Sequence, residues 1–206
     1  MRPSDVISCI DFPCEDVNHG AYAVPGLDLD SDQVSIVLIS EAAPEDPANY
    51  YYAAGGPQAG SLFERTTVLA FQDAGADVTS LQDLLDRGVY FTTAVKCAKT
   101  GYTMKAATLK ACSEILEREL ALFPNVQAYL LMGDAAIRAV NDIARRNREP
   151  RVIPAGATYK IRGPAYTWRG ARAFPSYLQA GPSFFIEKSK RRMITEDIRT
   201  ALGLLA

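Results

Sequence analysis

The sequence predicts an α/β protein, a three-layer α/β/α sandwich around a central, mainly parallel sheet of about four strands. Three observations predict it. Val34–Ile39 is an unbroken, mostly β-branched run of the kind that parallel sheets bury on both faces. Strand-like runs recur at Val89–Val95, Val126–Met132 and Ala171–Pro175. Between them lie stretches whose apolar residues fall three or four apart, as on one face of a helix. Strands alternating with helices lead to a parallel sheet covered on both sides.

Residues 1–33 carry Cys9, Pro13, Cys14 and Pro25 with little periodicity, an irregular lead-in that something must tie down. The first strand breaks at Ser40 into a polar loop rich in Pro and Gly. Ser61-Leu-Phe-Glu64 has capping-box form and opens a helix that Gly75 closes. A short helix around Leu81–Leu85 ends at Gly88, and the second strand, Val89–Val95, runs into Lys96-Cys97. From Ala106 to Leu122, Leu109, Cys112, Leu116 and Leu120 share a helical face, and Pro124 stops the helix. After the third strand, Gly133-Asp134 offers an N-cap for a helix with Ile137, Val140 and Ala144 on one side. Residues 145–170, rich in Arg, Gly and Pro, read as a loop with short β pieces. The tail is a final amphipathic helix through Ile194, Ile198, Leu202 and Leu205.

At 206 residues the chain suits a single domain, 1–206. A content of 48% apolar and 22% charged residues excludes disordered and fibrous classes. No apolar run approaches the roughly 18 residues that span a bilayer, and no basic-then-apolar leader opens the chain, so a cytoplasmic monomer away from membranes is expected. A net charge of -2 gives no global attraction to nucleic acid, so any DNA contact needs a local basic patch. The densest run is Lys188, Lys190, Arg191 and Arg192, with Arg162, Arg169 and Arg172 as helpers; the alternative is a solvated charged face.

Open α/β sheets bind ligands at the carboxyl ends of their strands. Here that position presents Glu41, then Glu45 and Asp46, then Tyr50, Tyr51 and Tyr52: acid groups beside stacking surfaces, or a solvated loop packed on the scaffold. Cys9 and Cys14 lie in the irregular lead-in, Cys97 at a strand end and Cys112 in the next helix. Four thiols converging from two places suit zinc or an iron–sulfur cluster; otherwise they are unrelated buried cysteines.

Several blocks, in order, resemble the iron–sulfur uracil-DNA glycosylases, families four and five of that superfamily. Ile36-Val-Leu-Ile-Ser-Glu-Ala-Ala-Pro-Glu-Asp46 is similar to the family's strand followed by Gly-Glu-Ala-Pro-Gly, and Gln58-Ala-Gly60 to its Arg-Ala-Gly. Tyr90-Phe-Thr-Thr-Ala-Val-Lys-Cys97 resembles its strand ending in Lys-Cys. Leu131-Met-Gly-Asp-Ala-Ala136 resembles its Leu-Gly-x-x-Ala turn, and Phe174-Pro-Ser-Tyr-Leu178 its His-Pro-Ser-Tyr-Leu motif. The resemblance implies a 4Fe–4S cluster on Cys9, Cys14, Cys97 and Cys112, although the family's first pair is two apart and Cys9 and Cys14 are separated by four residues.

It further implies a protein that hydrolyses the N-glycosidic bond of a damaged or deaminated base in DNA. Enzymes of this kind extrude the base from the duplex. Glu41 would stabilise the positively charged sugar or orient water, and Ser176 would donate to phosphate or base. Ser40, Ala42, Tyr52, Thr93, Phe174 and Pro175 would surround the base, with Tyr52 as the stacking face. Three departures fall here: Ser40 for glycine, Thr93 for asparagine and Phe174 for histidine. They leave room for a catalytically inactive DNA- or nucleotide-binding module of the same fold, or a small-molecule hydrolase using Glu41. The glycosylase reading requires Glu41 and residues 174–178 to face each other across one crevice.

Overall fold

A computed structural model describes residues 1–52 and 60–205. Its sheet contains β1 (Val17–Asn18), β2 (Ile36–Ala43), β3 (Val89–Lys99), β4 (Ala128–Met132), β5 (Tyr166–Trp168) and β6 (Ala171–Ser176), in the spatial order β1-β3-β2-β4-β6-β5. The four inner strands β3, β2, β4 and β6 are parallel, as expected. The sheet is wider than four because β1 and β5 add short antiparallel edges. Strands of two and three residues are too short to show a periodicity. The β5–β6 hairpin turns through Arg169 and Gly170, both at positive φ (51° and 83°), the geometry of a tight two-residue turn.

The helices are α1 (Pro3–Val6), α2 (Leu62–Asp73), α3 (Leu81–Asp86), α4 (Ala106–Leu120), α5 (Asp134–Arg146), α6 (Thr158–Ile161), α7 (Ser183–Ile186) and α8 (Lys188–Leu202). Apolar residues of α4 and α5 cover one face of the sheet, and those of α2, α3 and α8 the other. Ser61 Oγ accepts the Glu64 N–H at 3.0 Å, while the Glu64 carboxylate reaches back to the N–H of Gly60 rather than of Ser61. At the far end of α2, Gly75 takes φ 97°, and the N–H groups of Gly75 and Ala76 return to the carbonyls of Gln72 and Phe71. The N-cap of α5 is Gly133 itself, at φ 100°; Asp134 is the first helical residue and pairs with Arg138 at 2.6 Å.

Gly88 sets the lower end of the sheet. Its carbonyl accepts the N–H groups of both Ser35 and Ile36, fixing the register Ile36↔Val89. A side chain there would meet the Gln33 carbonyl as well as the strain of φ 77°. The lead-in is tied to the outer edge of β3: β1 pairs with Ala98 and Lys99, and the Lys96 carbonyl accepts the Ala23 N–H at 2.7 Å. Lower down, the Tyr52 hydroxyl accepts the Phe91 N–H at 2.9 Å. An open strand edge is thereby covered.

Candidate functional site

β2 carries Ser40 and Glu41 to the carboxyl edge of the sheet, and the register Ser40↔Thr93 brings the second strand alongside. Glu41 is partly exposed and its carboxylate accepts a hydrogen bond from Lys99 Nζ at 3.1 Å. Lys99 also reaches the Tyr102 carbonyl at 3.5 Å, and the Tyr102 side chain is 94% exposed. Ser40 is fully buried, with its hydroxyl 2.5 Å from the Tyr51 hydroxyl; Ala42 is buried beside Val95. The hydroxyls of Thr93 and Tyr50 are buried without a partner among the described residues. Burial pushes the Tyr50 phenol well above its usual range, so it stays a neutral hydroxyl.

Four expectations are corrected by packing. Tyr52 offers no free stacking face: it is buried, lies against the Tyr90 ring and hydrogen-bonds at the level of Phe91, which is in register with Leu38. Glu41 is three residues further along, roughly 10 Å at about 3.3 Å per residue. Phe174 is core, level with Leu130 and hence also with Leu38, with the Arg172 guanidinium 5.1 Å above its ring. Pro175 is buried beside Leu131. Ser176 is fully buried and its hydroxyl donates to Asp197 at 2.6 Å, so that proton is not available to a phosphate or a base. Asp197 also receives Arg162, at 2.8 Å.

The ends of β2, β4 and β6 are neighbours, so Glu41 and residues 174–178 lie on one edge of the sheet. Next to Glu41, Ser40 is bridged to the segment that follows β6. Gln179, fully buried, donates from Nε2 to the Tyr51 hydroxyl at 2.8 Å and to Thr67 Oγ1 at 3.2 Å, and it also contacts Ser40. Gln58 and Ala59 of the second resembling block lie outside the described residues.

The basic run divides in two. Arg191 binds Asp73 through two nitrogens at 2.5 and 2.9 Å and ties α8 to α2, while Lys190 is held by Glu187 at 2.7 Å. Lys188 is exposed and makes no ion pair among the described residues, and exposed Arg192 is 3.8 Å from Glu196. Arg162 and Arg169 are both committed to carboxylates. The sequence reading missed a second basic group: Lys110, Arg138, Arg145, Arg148 and Arg151 line a cavity of about 600 Å³ between α4, α5 and the loop after α5. It also missed Tyr102, Phe185 and Ile186, exposed on connections that leave the carboxyl ends of β3 and β6. A lone loop residue and a four-residue helix give no pattern by which to find them.

Three of the four cysteines border one hollow: Cys9, Cys14 and Cys112 line a space of about 230 Å³ between the lead-in and α4. Burial, and then the nearness of Cys112, Cys9 and Cys14, pushes the Cys97 thiol up to about 12; burial pushes Cys112 up to about 11. His19 joins them, with Nδ1 3.6 Å from Cys97 Sγ. The Tyr22 hydroxyl is buried in the same region without a partner among the described residues. No three such side chains, among the described residues, gather tightly enough for a single ion. The hollow equals several waters at about 30 Å³ each, room for a centre of several atoms, but Cys97 is not among the residues that line it.

A mainly parallel sheet covered by helices on both faces is an architecture in which α/β proteins bind ligands at the carboxyl ends of the strands. The chain matches the uracil DNA glycosylase superfamily over residues 28–196, and it belongs to that superfamily. Among curated proteins, the type-5 uracil-DNA glycosylase of Thermus thermophilus is 33% identical over 81 residues. That alignment covers 39% of this chain and 37% of the Thermus protein. No helix among the described residues is long and apolar enough to cross a membrane.

Proposed function

We propose that the chain is a DNA glycosylase that hydrolyses the N-glycosidic bond of a damaged or deaminated base, uracil or a related one, in base-excision repair. The observation that carries this reading is Glu41, held partly exposed by Lys99 at the carboxyl end of an inner strand in a member of the uracil DNA glycosylase superfamily. Breaking the bond leaves positive charge on the sugar and negative charge on the departing base. A fixed carboxylate stabilises the first or orients the attacking water, and neutral donors stabilise the second. Glu41 takes the first role. The hydroxyls of Thr93 and Tyr50, without a partner among the described residues, take the second once Gln179 and its neighbours give way to an extruded base. Tyr102, Phe185 and Ile186 suit the gap left in the duplex, as apolar side chains inserted between base steps do elsewhere. Lys188 and Arg192 supply phosphate contacts.

The thiols of Cys9, Cys14, Cys97 and Cys112 would hold a centre of the 4Fe–4S kind that the resemblance implies. Such a centre would fasten the lead-in to β3 and α4, a structural role.

A second reading, a catalytically inactive DNA- or nucleotide-binding module, is favoured by Thr93, by the core position of Phe174 and by the Gln179 bridge. Labelled duplexes containing uracil, hypoxanthine, xanthine or an oxidised base separate the two. Abasic product from any of them supports the glycosylase; binding without product from all of them supports the module.

A further inference from the structure

The cavity of about 600 Å³ between α4, α5 and the loop after α5 is lined by no strand residue and by none of the side chains assigned around Glu41. Its walls are built locally. Arg138, Asn141, Asp142 and Arg145 recur three or four apart on α5, so they share one face of that helix. Two small residues, Ala106 and Ala107, begin α4 and leave room beside it, with Leu109 and Lys110 following. The returning chain supplies the third wall. Arg148 takes φ 60°, in the left-handed region, and the Glu149 N–H closes on the Ala144 carbonyl at 2.8 Å. Asn141 then pins the return: its Oδ1 accepts the N–H groups of Val152 and Ile153 at 3.1 and 3.0 Å, and its Nδ2 donates to the Ile153 carbonyl at 3.0 Å. Arg151 Nε donates to the same carbonyl at 2.8 Å, which anchors its guanidinium.

Five cations, Lys110, Arg138, Arg145, Arg148 and Arg151, face two carboxylates here, in a chain whose net charge is -2. Both carboxylates are already engaged. Asp142 holds Arg145 at 2.7 Å, and Glu149 accepts the Trp168 indole N–H at 2.7 Å and Arg169 at 3.0 Å. Arg138 is paired with Asp134, outside the lining. Lys110, Arg148 and Arg151 are exposed and make no ion pair among the described residues. Like charges gathered in a cleft raise the local concentration of anions, and guanidinium forks match phosphate oxygens. A phosphate monoester carries about -1.5 to -2 at pH 7, so three unpaired cations match two phosphates rather than one. The volume falls within the roughly 300–1,000 Å³ of small-molecule sites, and Ala106, Ala107 and Leu109 give it an apolar floor. Among the described residues no aromatic side chain lines it, so there is no ring on which a base could stack.

We propose that this cavity binds a nucleoside di- or triphosphate, its phosphates on Lys110, Arg148 and Arg151 and its sugar over Ala106, Ala107 and Leu109. The number of phosphates, and not the identity of the base, sets the affinity.

Isothermal titration calorimetry on the full chain, in EDTA at low salt, tests this with ADP, GDP, AMP, adenosine, pyrophosphate and an undamaged duplex. ADP is expected to bind one to one, GDP within about threefold of it, AMP at least about tenfold more weakly and adenosine not at all. Lys110→Glu with Arg148→Glu should weaken ADP at least about tenfold, with the melting temperature of the free variant reporting that it is folded. No ADP binding, AMP as tight as ADP, or ADP binding untouched in the folded double variant overturns the proposal. Pyrophosphate as tight as ADP also overturns it, since the apolar floor would then be idle. A duplex that displaces ADP, and loses affinity in the same variant, assigns the cavity to DNA and overturns it as well. None of these residues takes part in the glycosylase reading, so a failure here leaves that reading untouched.

Discussion

β3 carries two lysine–glutamate pairs, and they sit in opposite surroundings. Lys96 and Glu119 are fully buried and touch each other. Lys96 also donates to Thr92 Oγ1 and to the Thr93 carbonyl, each at 2.7 Å, and Glu119 also receives the Tyr90 hydroxyl at 2.7 Å and the Thr92 hydroxyl at 2.9 Å. Every proton of the ammonium has a protein acceptor. Three residues along the same strand, Lys99 meets Glu41 with 35% and 27% of their side chains exposed. The first pair is closed and can only hold α4 against β3. The second is open to solvent and can exchange partners, as the role proposed for Glu41 requires. Chemistry is therefore expected at the end of the strand, and framework in its middle.

The comparison breaks most visibly at Glu119. Glu119→Ala leaves the Lys96 charge buried without its partner and should destabilise the protein by about 3–5 kcal/mol in denaturant titrations. Replacing both groups, Lys96→Met with Glu119→Leu, should restore much of that loss. If the single variant costs less than about 1 kcal/mol, the pair is not a closed framework. The proposed DNA face comes next: Lys188→Glu with Arg192→Glu should weaken duplex binding and flatten the log–log salt dependence by roughly two units, about 0.9 per phosphate contact. An unchanged slope would move the interface toward the cavity lined by Lys110 and Arg148.

Asp197 offers a pH test of smaller size. Burial raises its carboxyl above the ordinary 3.8, against the opposing pull of Arg162 and Ser176. The folded chain therefore holds this proton longer than the unfolded chain, and stability falls as pH rises from about 3.8 through the folded value. Asp197→Asn should flatten that part of the stability profile, and an identical profile would remove Asp197 as its source. The smallest effect belongs to the open pair, where Lys99→Ala should change stability by about 1 kcal/mol or less.

The four inner strands were legible because parallel burial leaves continuous β-branched runs, and the helices because their caps are local. Glu41 was legible because it comes two residues after such a run, near the carboxyl end of the strand, although β2 continues past it to Ala43. Tyr52 and Phe174 were misread because their surroundings are set by register with β3 and β4, which no local pattern records. The Gln179 bridge spans 139 residues to Ser40, and His19 reaches Cys97 across 78; neither distance leaves a trace in spacing. Arg191 looked like part of a free basic run because its partner, Asp73, lies on another helix.

Glu41 as the reacting carboxylate is tested most directly by comparing the unaltered protein with Glu41→Gln on a duplex bearing the base that it releases. The account predicts abasic product from the first and none from the second, with both binding the duplex equally. Equal release by the two proteins would contradict it.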